Sequence, residues 1–294
     1  MGVPCADVFD LIAGTSTGAI VALGLAVPRT RSDEPRGYTA AELESVYTRN
    51  AARIFSRTAL RRLVAIDDLL EERYPVAHLE QVLARYFGEL RLSDLTVEAL
   101  VPSFELSTRA PLMFERARAR ADEGHDLALA HVARATSAAP TYFEPFQTEY
   151  PVGTPRMFVD GGVVANNPAM CAFVRARQMW PDASRLILVS VGTGDLSDWI
   201  RHDEALGWGV AGWAKPLMEI VLDGGSELVD QQLEVLLHAQ DYLRLQLPLT
   251  DASPRLDDAS TENLSKLEEH ADRVVEHFAS RLEAIARELV VLTR

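Results

Sequence analysis

Apolar residues recur along this chain in two rhythms. Short continuous runs closed by glycine or proline read as strands: Asp7–Ala13, "VPSFELS" and "PLMFER" either side of a turn, "PRMFVD" ending at Asp160, Leu186–Val191, and "DYLRLQLP". Longer segments read as helices: Thr17–Val27, apolar throughout and stopped by Pro28; "AAELESVYTRNAARIF", opened by the capping pair Thr39 and Glu42; "LALAHVARATSAAP"; and "SELVDQQLEVLLHAQ". A last helix over 261–294 repeats Leu264, Leu267, Ala271, Val274, Phe278, Leu282, Ile285 and Leu289 at spacings of three and four.

Strands alternate with helices, and the strands are continuous apolar runs. That pattern predicts an α/β fold: three layers, α/β/α, around a mainly parallel central sheet covered on both faces. One domain over residues 1–250 is expected. The segment around Pro254 ties on the helix 261–294, which either docks on that domain or forms a dimer seam.

The 294 residues carry 29 basic and 43 acidic side chains, a formal charge of −14, which argues against an extended nucleic-acid surface. Arg53–Arg62 is basic, but Asp67, Asp68, Glu71 and Glu72 follow at once, the pattern of a solvated face. Two cysteines, Cys5 and Cys171, make no disulfide framework. No 18-residue apolar run and no signal peptide are visible, so a cytoplasmic location is expected. Three tryptophans, Trp199, Trp208 and Trp213, cluster among glycines. They suit a core helix beside the Leu186–Val191 strand or an interfacial patch.

The stretch "DLIAGTSTGAIVALGLA" joins a strand to a helix through G-T-S-T-G. In that context G-x-S-x-G forms a nucleophile elbow, with Gly14 and Gly18 meeting its demand for small neighbours. The helix beginning at Thr17 would aim free N–H groups at the space over Ser16, where an oxyanion forms. An ordinary tight turn explains the same residues. A serine nucleophile needs a base. His202 and His238 are the late histidines that a Ser-Asp-His order could use, but neither follows a strand end. Asp160 does, with Gly161 and Gly162 leaving its carboxylate uncrowded, on the sheet edge where α/β sites are built. It also suits a helix cap. No metal-ligand spacing is present.

Five blocks stand in order over roughly residues 7 to 247: "FDLIAGTSTGAIVAL", "ARATSAAPTYFEP", "FVDGGVVANNP", "LVSVGTG" and "DYLRLQ". Together they resemble the patatin-like phospholipases of bacterial type, serine lipid acyl hydrolases that work with a Ser–Asp dyad and no histidine. The resemblance implies Ser16 as nucleophile and Asp160 as its base. It implies Gly161–Gly162 as support for the Asp160 turn, and Asn166-Asn167-Pro168 as the start of the next helix. The implied reaction is hydrolysis of fatty acyl esters in phospholipids or related lipids through an acyl-enzyme, with no cofactor or metal and with transient contact at a membrane surface.

The family normally places a strand, a G-G-G-x-R/K-G loop and a helix before the serine strand. Here fifteen residues precede Ser16, Gly2 is the one glycine among the first ten, and none of the fifteen is basic. The loop that supplies oxyanion donors is therefore expected to be missing. Three readings follow: an internal start, a split enzyme, or an inactive family member serving in lipid binding or assembly. An open sheet position would also invite pairing with a second copy.

Overall fold

A single strand, Glu98–Glu105, organises the part of the molecule that matters for the site. The structure is a computed structural model and describes residues 3–28, 37–56, 74–196, 200 and 202–292. Trp199 and residues 57–72 of the charged run lie outside the described residues. The chain falls into two compact units, Met1–Ala172 and Phe173–Leu292.

The first unit runs α1 (Cys5–Val8), β1 (Leu11–Ala13), α2 (Thr17–Ala26), α3 (Ala40–Ile54), α4 (Ala77–Phe87), β2 (Glu98–Glu105), β3 (Ala110–Glu115), α5 (Arg116–Ala121), α6 (Leu129–Thr136), β4 (Phe146–Glu149), β5 (Pro155–Asp160) and α7 (Gly162–Ala165). The division between units falls inside α8 (Ala169–Met179). Residues 99 to 103 of β2 are all buried, so both faces of this strand are covered and the three-layer α/β/α arrangement holds. Val101, Phe114, Leu129, Val132 and Phe158 are fully enclosed and form the centre of the core.

Local sequence accounts for the covering helices. Thr39 accepts from the Glu42 N–H at 3.3 Å while its own N–H donates to Glu42 Oε2 at 2.7 Å, closing the expected capping box of α3. Helix α2 is apolar all round and correspondingly buried, from Ala19 and Ile20 through Leu23 to Ala26. At Gly24 a Cβ would lie 2.4 Å from the Leu43 side chain, so glycine lets α2 pack closely on α3.

Two expectations need correction. The run Asp7–Ala13 is not strand throughout: Pro4 opens a helical turn, with Phe9 N–H donating to the Cys5 carbonyl at 3.0 Å, and only Leu11–Ala13 is extended. The sheet of the first unit is mixed rather than mainly parallel. β1 is parallel to β2, but β3 and β5 are both antiparallel to it. The β2–β3 turn is tight because the buried Glu105 carboxylate accepts from Ser107 N–H and Thr108 N–H, each at 2.8 Å. A short turn can only reverse direction.

The register decides where the site lies. β3 pairs with β2 from Leu100 to Glu105 along one edge. The other edge is shared. β1 pairs with Glu98–Leu100 and β5 with Ser103–Glu105, running toward each other. Their C-terminal ends therefore abut across a gap at Val101 and Pro102. Alternation along β2 points the polar backbone of Pro102 into this gap, and proline leaves no N–H there without a partner.

The second unit contains β6 (Leu188–Val191), β7 (Asp195–Leu196), α9 (His202–Ala205), α10 (Val210–Leu236), β8 (Tyr242–Leu245), β9 (Pro248–Leu249) and α11 (Thr261–Leu292). β6 pairs in parallel with β8, and β7 with β9. The expected strand 186–191 is shorter, and Val191 at its end is exposed. Helix α11 lays Val274, Phe278, Leu282 and Ile285 against Leu243, Leu245, Ile187 and Val189, so it docks on its own unit. Helix α10 begins well before Ser226, and Trp208 meets Trp213 edge-on with ring centres 5.0 Å apart.

Candidate active site

Ser16 stands between β1 and α2 with φ 53° and ψ −122°, a conformation that an L residue adopts only when its surroundings hold it there. Gly14 makes the turn sterically feasible. A Cβ at Gly14 would lie 2.2 Å from the Gly18 carbonyl oxygen. Ser16 occupies the N-cap position of α2, where serine normally accepts from a backbone N–H. Here it makes no such bond. Its hydroxyl instead donates to Asp160 Oδ2 at 2.6 Å.

Asp160 ends β5 and is 94% enclosed, with 6% of its surface exposed. Burial pushes its carboxyl up to about 6, with the bonds from Ser16 and from the Gly162 N–H acting in the opposite direction. The second oxygen, Oδ1, accepts that Gly162 N–H at 2.7 Å. Gly161 is required for close approach, since a Cβ there would lie 2.2 Å from the Pro102 carbonyl oxygen. Asn167 Oδ1 accepts from Ala169 N–H at 3.1 Å, so the Asn-Asn-Pro segment does open α8. Asp160 and Ser16 thus meet where two strands abut, not along a shared edge of parallel strand ends.

Two further residues, both unassigned by the sequence reading, join the turns. Thr15 Oγ1 donates to the Ala165 carbonyl at 2.7 Å, fastening the elbow to the end of α7. Thr136 Oγ1 accepts the Ser16 N–H at 3.0 Å and donates to the Pro102 carbonyl at 2.6 Å. The one sequence signal for Thr136 is its position inside the "ARATSAAPTYFEP" block.

Thr17 and Gly18 are exposed in the first turn of α2, where N–H groups have no carbonyl one turn back within the helix. Thr17 is held by its own carbonyl, which accepts from the Tyr47 hydroxyl at 3.2 Å. The steric role expected of Gly18 is not found: a Cβ there would meet nothing within 4 Å. Among the described residues, no histidine bonds Ser16 or Asp160. His238 lies in the second unit, exposed and just past the end of α10 rather than within a helix. Among the described residues, no His, Cys, Asp or Glu cluster could hold a metal ion, and no helix is long and apolar enough to cross a membrane.

A hydroxyl on a strand–turn–helix elbow, donating to a buried carboxylate at the end of a neighbouring strand, defines an α/β protein with a Ser–Asp pair. Residues 4–173 match the family model described as patatin-like phospholipase, and the chain belongs to that family. The match ends within a residue of the division between units. The chain is similar to Patatin-like protein 1 of Oryza sativa subsp. indica, 30% identical over 94% of this chain and 74% of that protein. It is 29% identical to Patatin-like protein 2 of Arabidopsis thaliana over 94% of this chain and 75% of the relative. A further relative, from Solanum tuberosum and named Probable inactive patatin-3-Kuras 1, is 29% identical over 94% of this chain and 77% of its own length.

Proposed function

We propose that this protein hydrolyses fatty acyl esters of phospholipids or related lipids through an acyl-enzyme on Ser16. The 2.6 Å bond from the Ser16 hydroxyl to the buried Asp160 carboxylate is the observation that carries the reading. Ionised Asp160 takes the proton as Ser16 Oγ attacks the acyl carbonyl carbon. The tetrahedral oxyanion forms beside the start of α2, where the Thr17 N–H and the positive helix end favour negative charge. Asp160 then returns the proton to the departing alcohol oxygen. Water, activated by the same carboxylate, releases the fatty acid and restores the Ser16 hydroxyl.

Burial gives Asp160 its value as a base. A carboxylate titrating near 4 is too weak to draw a proton from serine, and one raised to about 6 is a better base while still ionised at pH 7. Exposed Trp213 and Leu217 on α10 suit brief contact with a lipid surface.

The test is hydrolysis of p-nitrophenyl butyrate and of phosphatidylcholine vesicles, with fluorophosphonate labelling alongside. Turnover and labelling are expected, and both are lost in Ser16→Ala. A folded chain that neither turns over nor labels contradicts this reading. It would favour a lipid-binding module that has kept the fold alone, a reading to which the relative named as probably inactive adds weight.

A further inference from the structure

Nothing in β1 or β5 alone fixes the distance between their ends. They approach along one edge of β2 with a gap between them, and a gap in a sheet leaves backbone groups without strand partners. The residue that fills this gap comes from neither strand. We infer that Thr136 is the positioning residue of the Ser16–Asp160 pair, holding the nucleophile elbow and the base turn in register from the end of α6.

Thr136 acts through three bonds. Its hydroxyl accepts the Ser16 N–H at 3.0 Å and donates to the Pro102 carbonyl at 2.6 Å. A hydroxyl with one proton donates once, so the bond to Pro102 turns its lone pairs toward Ser16. Its backbone carbonyl accepts the Gly161 N–H at 3.1 Å, and two residues on, the Ala138 carbonyl accepts the Asp160 N–H at 3.0 Å. One short segment, 136–138, therefore grips the nucleophile's residue on one side and the base's turn on the other. Thr136 is fully enclosed, so water cannot replace its hydroxyl without rearrangement of the core.

The elbow gives the hydroxyl a purpose beyond packing. Ser16 is held at positive φ, and its N–H donates to Thr136 Oγ1. Without Thr136 Oγ1 that N–H loses its partner, and the turn is free to relax. Relaxation swings Ser16 Oγ away from Asp160 Oδ2. The bond to Thr136 also commits the Ser16 N–H, which leaves the oxyanion to the Thr17 N–H.

This role rests on the Ser–Asp reading above, so Ser16-dependent hydrolysis is established first with Ser16→Ala. The decisive pair is then Thr136→Ser against Thr136→Ala, which both lack the γ-methyl and differ only in the hydroxyl. Thr136→Val keeps the branched shape without the hydroxyl. Activity is expressed per folded enzyme. The Ala and Val variants are expected to lose roughly 10–100-fold in kcat with KM changed less than about twofold, as an ångström-scale misplacement would produce. Thr136→Ser is expected to recover kcat to within about threefold. In the Ala and Val variants the acidic limb of the pH profile should move upward, because Asp160 loses the serine bond that opposes its burial.

Equal losses in Ser and Ala would overturn the role, as would a wild-type kcat in Val. Should neither Ala nor Val fold, the hydroxyl serves the core rather than the site, and the positioning role falls. If the wild-type protein itself shows no Ser16-dependent turnover, the Ser–Asp reading fails, and the positioning role fails with it.

Discussion

The two turns that meet at the site are both strand ends, yet they are built in opposite ways. The Ser16 turn keeps its side chain half-open to solvent and carries its strain in the backbone, at φ 53°. The Asp160 turn has ordinary backbone geometry and carries its strain in solvation, as a carboxylate taken out of water. Under the proposed function the contrast has a reason: a nucleophile must be reached by substrate, and an unfavourable turn presents Ser16 without burying it. The proposed base gains strength from burial, and for Asp160 an ordinary turn suffices. Sterics divide the same way. Gly14 and Gly161 each sit against a carbonyl oxygen, while the exposed Gly18 faces open space.

The largest effect expected is on turnover. Ser16→Ala and Asp160→Asn should each reduce hydrolysis by at least about 10³-fold, and the double variant should be little worse than either. Two independent, multiplying losses would break the pairing of the turns. Next comes packing: Gly14→Ala and Gly161→Ala should each destabilise the fold by about 3 kcal/mol, read from urea midpoints, because a methyl group meets backbone at 2.2 Å. Gly18→Ala should leave stability unchanged or raise it by less than about 1 kcal/mol. Equal costs at positions 14 and 18 would contradict the division of roles.

The solvation side has its own test, in the stability of Asp160→Asn. Folding raises the Asp160 carboxyl from 3.8 to about 6, so the folded state binds the proton more tightly than the unfolded chain. Ionised Asp160 thus destabilises the fold above pH 6, by about 3 kcal/mol for a shift of this size. Asparagine removes that burden. The variant should be the more stable protein at pH 8, with its advantage shrinking as pH falls through 6 and gone near 4. A less stable variant at pH 8 would mean that Asp160 is held ionised by favourable contacts.

Much of this was legible in the chain. Apolar runs mark β1, β2, β3, β5, β6 and β8, though not the short β4, β7 and β9; the Thr39–Glu42 spacing marks a helix start, and the glycines around Ser16 and Asp160 mark both turns. The direction of β5 was not legible, because a run such as "PRMFVD" looks the same parallel or antiparallel. Abutting strand ends depend on register, which side-chain pattern along one strand does not contain. The spacing of Gly18 does not reveal its freedom, because steric need belongs to the neighbours in space, and of the two elbow glycines only Gly14 has them. Thr136 escaped for a similar reason: a threonine near a helix end is ordinary until Ser16 N–H and Pro102 are found on either side of it.

The central claim is that a buried Asp160 serves as the base for Ser16, and the pH dependence of kcat/KM for acyl ester hydrolysis tests it most directly. The account predicts a single acidic limb with its midpoint near pH 6, falling tenfold per pH unit below it, on activity that Ser16→Ala removes. Activity that depends on Ser16 yet stays level from pH 7 down to pH 4 would contradict it.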